Sequence, residues 1–201
     1  VRVYNLDRSK RAYHVYALVD ESVESVKNLL LNIKAYHGIY PGWGVWVFMK
    51  QNHWAVEILR SVGVTVGVEK GDYPSEFWPL YALAVEADYL LFRDVNNIVN
   101  KNERIMVDEW MASGNTVLCM GKRRLNRMGL KGGLYPDIRR RVGMYVSRCR
   151  ENGAEAKIDA FLSVLMEPYQ DSVYQCPHGV VKKVECSLWG VLFGTLDLSQ
   201  V

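Results

Sequence analysis

The stretch Ala87-Asp88-Tyr89-Leu90-Leu91-Phe92-Arg93-Asp94-Val95-Asn96-Asn97 changes character halfway along. Residues 88–93 form an apolar and aromatic run, the pattern of a strand buried on both faces. Residues 94–97 are acidic and amide-rich, the chemistry of a turn. Asn100 follows, and Glu103 stands three residues on, the spacing of a capping box. Ile105, Met106, Val107 and Trp110 then supply the apolar side of a helix that Gly114 ends. A buried strand, a polar turn and a capped helix in succession predict a strand–helix unit of a parallel sheet, with the turn at the strand's carboxyl end.

The same alternation extends in both directions. Upstream, residues 12–19 read as a strand and 22–36 as a helix, with Val23, Val26, Leu29, Leu30 and Ile33 on one face. Residues 38–44 read as a turn and 45–49 as a second strand. A helix over 52–62 capped by Asn52, a strand over 64–68 and a helix over 75–86 follow. Downstream, residues 116–120 read as a strand, and a basic loop punctuated by glycines comes next. Pro136 suits the first turn of a helix reaching about residue 151, another helix covers 157–166, and the tail from Ser172 reads as short strands. The expected fold class is therefore α/β: a mainly parallel central sheet with helices on both faces. In such sheets ligands bind beyond the carboxyl ends of the strands, where residues 94–97 lie. Trp78 and Trp110 read as core residues.

With 201 residues and no internal repeat or linker, the chain reads as one domain. Its first residue is Val1, which leaves open that these residues are the excised N-terminal part of a longer protein. The net charge of +3 is too small for a dedicated nucleic-acid binder. Even so, Lys122, Arg123, Arg124, Arg127, Lys131, Arg139, Arg140 and Arg141 crowd one stretch, and such a patch attracts an anion such as phosphate. The four cysteines form no C-x-x-C pair, which argues against a zinc site and for reduced thiols in a cytoplasmic setting. No apolar run reaches membrane-spanning length, and the opening residues do not read as a secretory leader.

An acidic turn at a strand end suits transfer from a nucleotide-sugar. The leaving group is a diphosphate, and a divalent cation held by carboxylate and amide oxygens neutralises its developing charge. Asp94 is the candidate carboxylate. Asn96 either supplies a neutral oxygen to the metal or hydrogen-bonds the donor ribose.

These residues resemble a known family: the GT-A glycosyltransferases, in particular the small kind that large algal viruses (chloroviruses) use to glycosylate their major capsid protein. The family's apolar strand followed by Arg-Asp-x-Asp-Ser is similar to Phe92-Arg93-Asp94-Val95-Asn96-Asn97. Its helix opening near Arg-Glu and continuing Val-Asp-Glu-Trp is similar to Glu103-Arg104 and Val107-Asp108-Glu109-Trp110. Glu76-Phe77-Trp78 resembles the segment before the family's acidic strand. Gly132-Gly133-Leu134-Tyr135 resembles its Gly-Gly-Met-Trp acceptor loop, and Ile158-Asp159-Ala160-Phe161-Leu162 its Asp-Gln-x-Phe-Leu. The likeness spans roughly residues 76 to 180. Two departures stand out: Asn96 replaces the second Asp of the D-x-D motif, and Gly121-Lys122-Arg123-Arg124 replaces an Arg-Asp-His-Pro.

The resemblance implies a GT-A fold and a retaining hexosyl transfer, glucose or rhamnose, from a UDP-sugar to a glycan or glycoprotein in a host cytoplasm. It places the nucleotide near Leu18, Val19 and Asp20. The rest of the donor falls on Arg93, Asp94, Val95 and Asn96; Lys122, Arg123 and Arg124, where the chain departs from the family, read as basic groups that help neutralise the diphosphate. Mn²⁺ or Mg²⁺ falls on Asp94, Asn96 and His178, and the acceptor on Gly132, Gly133, Leu134 and Tyr135. Asp94 and Asp159 are the implied catalytic carboxylates; Asp159 is the one base at hand should the reaction invert. Two other readings compete. One is a catalytically weak binding module of this fold, which the Asn96 departure favours. The other is a nucleic-acid binder using the basic stretch, which the small net charge disfavours.

Overall fold

A computed structural model describes residues 2–7, 11–70, 73–120 and 125–176. In chain order the elements are β1 (Arg2–Tyr4), β2 (Ala12–Leu18), α1 (Val23–Ile39), β3 (Gly44–Lys50), α2 (Val56–Ser61) and β4 (Thr65–Glu69). A 3-10 helix (Ser75–Ala84), β5 (Tyr89–Arg93), α3 (Lys101–Ser113), β6 (Val117–Cys119) and β7 (Arg127–Lys131) follow. The series closes with α4 (Ile138–Glu151), α5 (Ile158–Leu165), a short 3-10 turn (Glu167–Tyr169) and β8 (Val173–Gln175).

Among the described residues the strands form one eight-stranded sheet in the order β1-β4-β3-β2-β5-β7-β6-β8. Strands β2, β3, β4 and β5 are mutually parallel, and β6 and β8 share their direction; only β1 and β7 run against it. The expected mainly parallel α/β architecture is present. Side chains alternate between two cores as period 2 requires. Tyr13 and Val15 of β2, Trp46 and Phe48 of β3, and Leu90 and Phe92 of β5 join the 3-10 helix, α4 and α5 on one face. Tyr16, Leu18, Val47, Met49 and Leu91 join α1, α2 and α3 on the other. Trp78 and Trp110 are fully enclosed, and each indole N–H donates to a main-chain carbonyl, of Tyr73 and Asn115 respectively.

Several elements differ from the sequence reading, each for a physical reason. The basic loop after β6 contains β7, an antiparallel strand wedged between β5 and β6. Its central Gly129 hides the strand pattern, yet glycine is what fits. A Cβ there would stand 2.9 Å from both Leu91 and Trp110. Residues 75–84 wind as a 3-10 helix and not an α-helix, with Pro79, which has no N–H to donate, inside it. The second helix starts at Val56 and not at Asn52; a turn over 51–55 precedes it, in which His53 Nδ1 accepts from the Ala55 N–H. Helix α1 runs on to Ile39, into the expected turn. The edge strand β1, only three residues long, left no periodic signal.

Candidate functional site

The turn after β5 is built from outside itself. Asn32 of α1 is fully buried, and its amide reaches across 63 residues of sequence: Nδ2 donates to the carbonyl of Val95 at 3.1 Å. Its Oδ1 accepts from the N–H of Val99 at 3.0 Å, and Nδ2 also donates to Asn28 O. One side chain thus satisfies both polar ends of the 95–99 loop. Asn28, one turn earlier on α1, donates to Asn96 Oδ1 at 3.2 Å. Asn100 caps α3 by accepting from the Glu103 N–H at 3.1 Å.

The Glu103 side chain does not complete the capping box. It turns inward and pairs with Arg93; the two side chains are 6% and 3% exposed. Tyr40 OH donates to the same carboxylate at 3.0 Å, and Arg93 Nη2 donates to Asn97 O at 3.4 Å. Burial works against the Arg93 charge, but Glu103, Tyr16 and Tyr40 more than offset it and hold the guanidinium charged. Breaking such a pair by removing one partner costs about 3–5 kcal/mol. The guanidinium expected at the donor is therefore a strut between β5 and α3, and Arg93 offers the cleft its place in the wall and not its charge.

Asp94, one residue on, faces the opposite way. Its Oδ1 accepts from the Asn96 N–H at 3.0 Å, and its Oδ2 accepts from Asn126 Nδ2 at 3.2 Å. The carboxylate lines a cleft of about 410 Å³ at the carboxyl ends of β2 and β5. Val15, Ala17, Phe92 and Leu125 form an apolar part of its wall. Glu76, Asp94, Asn126 and Asp159 bring three carboxylates and one amide to the same space. Apolar walls with a few convergent polar groups are the composition of a small-molecule site.

The expected site residues divide as follows. Asp94, Val95, Asp159 and the Arg93 position meet in the cleft. Asn96 does not line it, and its amide oxygen is taken by Asn28. Leu18 is packed in the core under α1, and Val19 is exposed. Asp20 accepts from the Ser22 N–H and from the hydroxyls of Ser22 and Ser25, which hold its carboxyl below the usual carboxylate range. That loop is braced by His53, 2.9 Å from Asp20 O, and by the Trp54 indole, which donates to Glu21 O. The stretch Gly132-Gly133-Leu134-Tyr135, expected to meet the acceptor, does not line this cleft. Arg127 pairs with Arg93 and Lys131 with Tyr89, so Gly132 lies at the amino end of β5. At 3.3 Å per residue that is roughly 20 Å from Asp94. Gly132 packs there against the Ala87 carbonyl, and the Tyr135 hydroxyl donates to Leu165 O. Lys122, Arg123, Arg124 and His178 lie outside the described residues.

Three site residues escaped the sequence reading. Asn126 sat inside a stretch taken for a loop. Glu76 carried no signal for its partner 82 residues away, the N–H of Ile158. Asn32 had one: a lone amide at apolar spacing, between Leu29 and Tyr36 on the buried face of α1.

Among the described residues no group of three or more His, Cys, Asp or Glu side chains is placed to hold a metal ion. Asp94, Asp159 and Glu76 bring to the cleft carboxylate oxygens, the donor type that hard cations take. Among the described residues no helix is long and apolar enough to cross a membrane.

No family model and no curated protein matches this sequence. Solved structures do. The apo form of the glycosyltransferase GlyE from Streptococcus pneumoniae TIGR4 superposes with a TM-score of 0.52 at 12% identity, over 96% of this chain and 52% of GlyE. A second GlyE structure gives 0.51 at 14% identity, over 93% and 50%. The 4-diphosphocytidyl-2C-methyl-D-erythritol synthase of Anaerococcus prevotii DSM 20548 gives 0.51 at 9% identity, over 90% of this chain and 97% of the synthase. The chain spans about half the length of GlyE. It therefore shares the α/β fold of a glycosyltransferase and of a cytidyl-compound synthase.

Proposed function

We propose that this chain is a glycosyltransferase domain that takes a hexose, glucose or rhamnose, from a UDP-sugar and passes it to a hydroxyl of a glycan or glycoprotein, with retention at the anomeric carbon. The observation that carries the reading is the carboxylate of Asp94, held at the end of a central parallel strand and turned into a cleft it shares with Asp159 and Glu76. The shared fold with GlyE supports it, as does the resemblance of residues 92–110 to the algal-virus enzymes, whose acceptor is a capsid glycoprotein.

The chemistry of the wall suits a pyranose. The carboxylates of Asp94 and Asp159 accept from ring hydroxyls and the Asn126 amide both accepts and donates, while Val15, Ala17 and Phe92 meet the apolar C–H edges. Asp94 and Asp159 orient the sugar from two sides. In the transfer, the bond from the anomeric carbon to the diphosphate oxygen breaks, and its electron pair stays on UDP. The acceptor oxygen bonds to the carbon from the same face, and its proton passes to the departing phosphate oxygen. Asp94 would hold a Mn²⁺ or Mg²⁺ that comes with the diphosphate, with His178 as the second ligand expected from the sequence, and the ion would neutralise the charge that develops on the leaving group. Lys122, Arg123 and Arg124, which lie outside the described residues, would add positive charge for the phosphates.

The test is hydrolysis and transfer of UDP-glucose with Mn²⁺, against Asp94→Ala. Turnover that disappears in the variant supports the proposal. Metal-dependent binding without turnover supports the second reading, a sugar-nucleotide binding module, which the replacement of a second acidic ligand by Asn96 favours. No response to any nucleotide-sugar refutes both.

A further inference from the structure

We propose that Glu76 is a positioning residue for Asp159: from the 3-10 helix it caps the start of α5 and so determines where the Asp159 carboxylate stands in the cleft. The inference rests on the reading of that cleft as the donor-sugar site.

Helix α5 has only eight residues, and its N-cap position is Lys157, whose side chain makes no capping bond. A helix this short is not stable by itself, and its first N–H groups need acceptors from elsewhere. The acceptor for Ile158 is Glu76 Oε1 at 3.1 Å. A carboxylate there also opposes the partial positive charge of the helix start. One residue earlier, the Tyr145 hydroxyl of α4 donates to Lys157 O at 3.1 Å and accepts from the Lys157 N–H at 3.4 Å. Beneath these contacts the rings of Phe77, Tyr145 and Phe161 pack as a triangle, with centroids 6.0, 5.1 and 5.7 Å apart. The triangle fixes the body of α5 against the 3-10 helix and α4, and Tyr145 fixes Lys157. The direction of the Ile158 N–H is left to Glu76. Asp159 is the next residue, and Glu76, Ile158 and Asp159 all line the cleft.

The experiment compares wild type with Glu76→Ala, Glu76→Gln, Asp159→Asn and the Glu76→Ala/Asp159→Asn double variant. Gln keeps an oxygen for the Ile158 N–H without the charge. Three quantities are read: amide hydrogen exchange at Ile158 and Asp159, the ¹³C-carboxyl signal of Asp159 (identified by its loss in Asp159→Asn), and kcat and KM for UDP-glucose hydrolysis with Mn²⁺. In Glu76→Ala, exchange at the two amides should rise about tenfold or more while the sheet core is unchanged. The Asp159 signal should shift, and kcat should fall about tenfold with KM little altered. Glu76→Gln should restore all three. The double variant should be no slower than Asp159→Asn, because the two residues act as one unit. An unmoved Asp159 signal with unchanged exchange, or kcat losses that multiply, would overturn the assignment. If wild type does not turn over UDP-glucose, the functional reading fails, while the exchange and carboxyl measurements still decide the role of Glu76. If Glu76→Ala does not fold, Glu76→Asp, shorter by one methylene, gives the same readouts.

Discussion

Replacing His14 with Phe should remove a large part of this protein's sensitivity to mild acid. His14 lies on β2, wholly buried, with its ring stacked on Tyr36 at 3.8 Å and enclosed by Tyr40 and Trp43. Among the described residues neither ring nitrogen has a hydrogen-bond partner. Burial first, then the nearby Arg93 and Arg104, hold its pKa well below the ordinary histidine value, so it is neutral in the folded chain. The unfolded chain titrates it near 6.5. Between the two pKa values only the unfolded state binds the proton, so stability rises with pH there and is lost as pH falls below about 6.5. The slope approaches about 1.4 kcal/mol per pH unit. From pH 7 to pH 5, with the folded-state ring still neutral, this one group removes about 2 kcal/mol. Phe fills the same stacked position, carries no titrating nitrogen and deletes two unpartnered polar atoms, so His14→Phe should be neutral or stabilising at pH 7. Urea unfolding of both proteins at pH 7 and pH 5 isolates the effect, because every other titrating group cancels in the difference. The wild type should lose about 2 kcal/mol more than the variant, or about 4–8 °C in Tm for a chain of this size. Equal losses would refute the argument and mean that His14 takes up its proton in the folded state.

Three more outcomes follow from the same cores. Glu103→Ala strands the Arg93 guanidinium in an enclosed position and should cost about 3–5 kcal/mol in urea unfolding. Asn32→Ala leaves the Val95 carbonyl and the Val99 N–H unpaired, at about 1–3 kcal/mol each, and should weaken UDP-sugar binding in calorimetry because the Asp94 loop loses its clamp. Gly132→Ala would drive a methyl group into the Ala87 carbonyl and should lower stability by about 1–3 kcal/mol in thermal unfolding, with turnover at the distant cleft unchanged.

Most of the architecture was legible in the chain because its evidence is local. The runs at 12–19, 45–49 and 88–93 read as strands by composition and correspond to β2, β3 and β5, and Asn100 and Gly114 mark the ends of α3 as their side chains and backbone demand. Asp94 could be singled out because polarity and burial change together at one peptide bond. The misreadings are non-local. Strand β7 has a glycine at its centre and charged ends, and only its place between β5 and β6 makes it a strand. Glu103 reads as a cap in sequence; the buried Arg93 opposite it decides otherwise.

What the sequence by itself determined is the alternation of β2 to β6 with their helices, the acidic turn after β5 and its chemical character. What only the tertiary structure decided is the company that turn keeps: Asn32 and Asn126 on Asp94 and its loop, Glu76 at the head of α5, and the removal of Gly132 and its neighbours to the far end of the sheet. The reason is range. Periodicity and capping act within a few residues, whereas the groups that hold the Asp94 turn and Asp159 in place lie 32 to 82 residues away along the chain and meet them only once the sheet has closed.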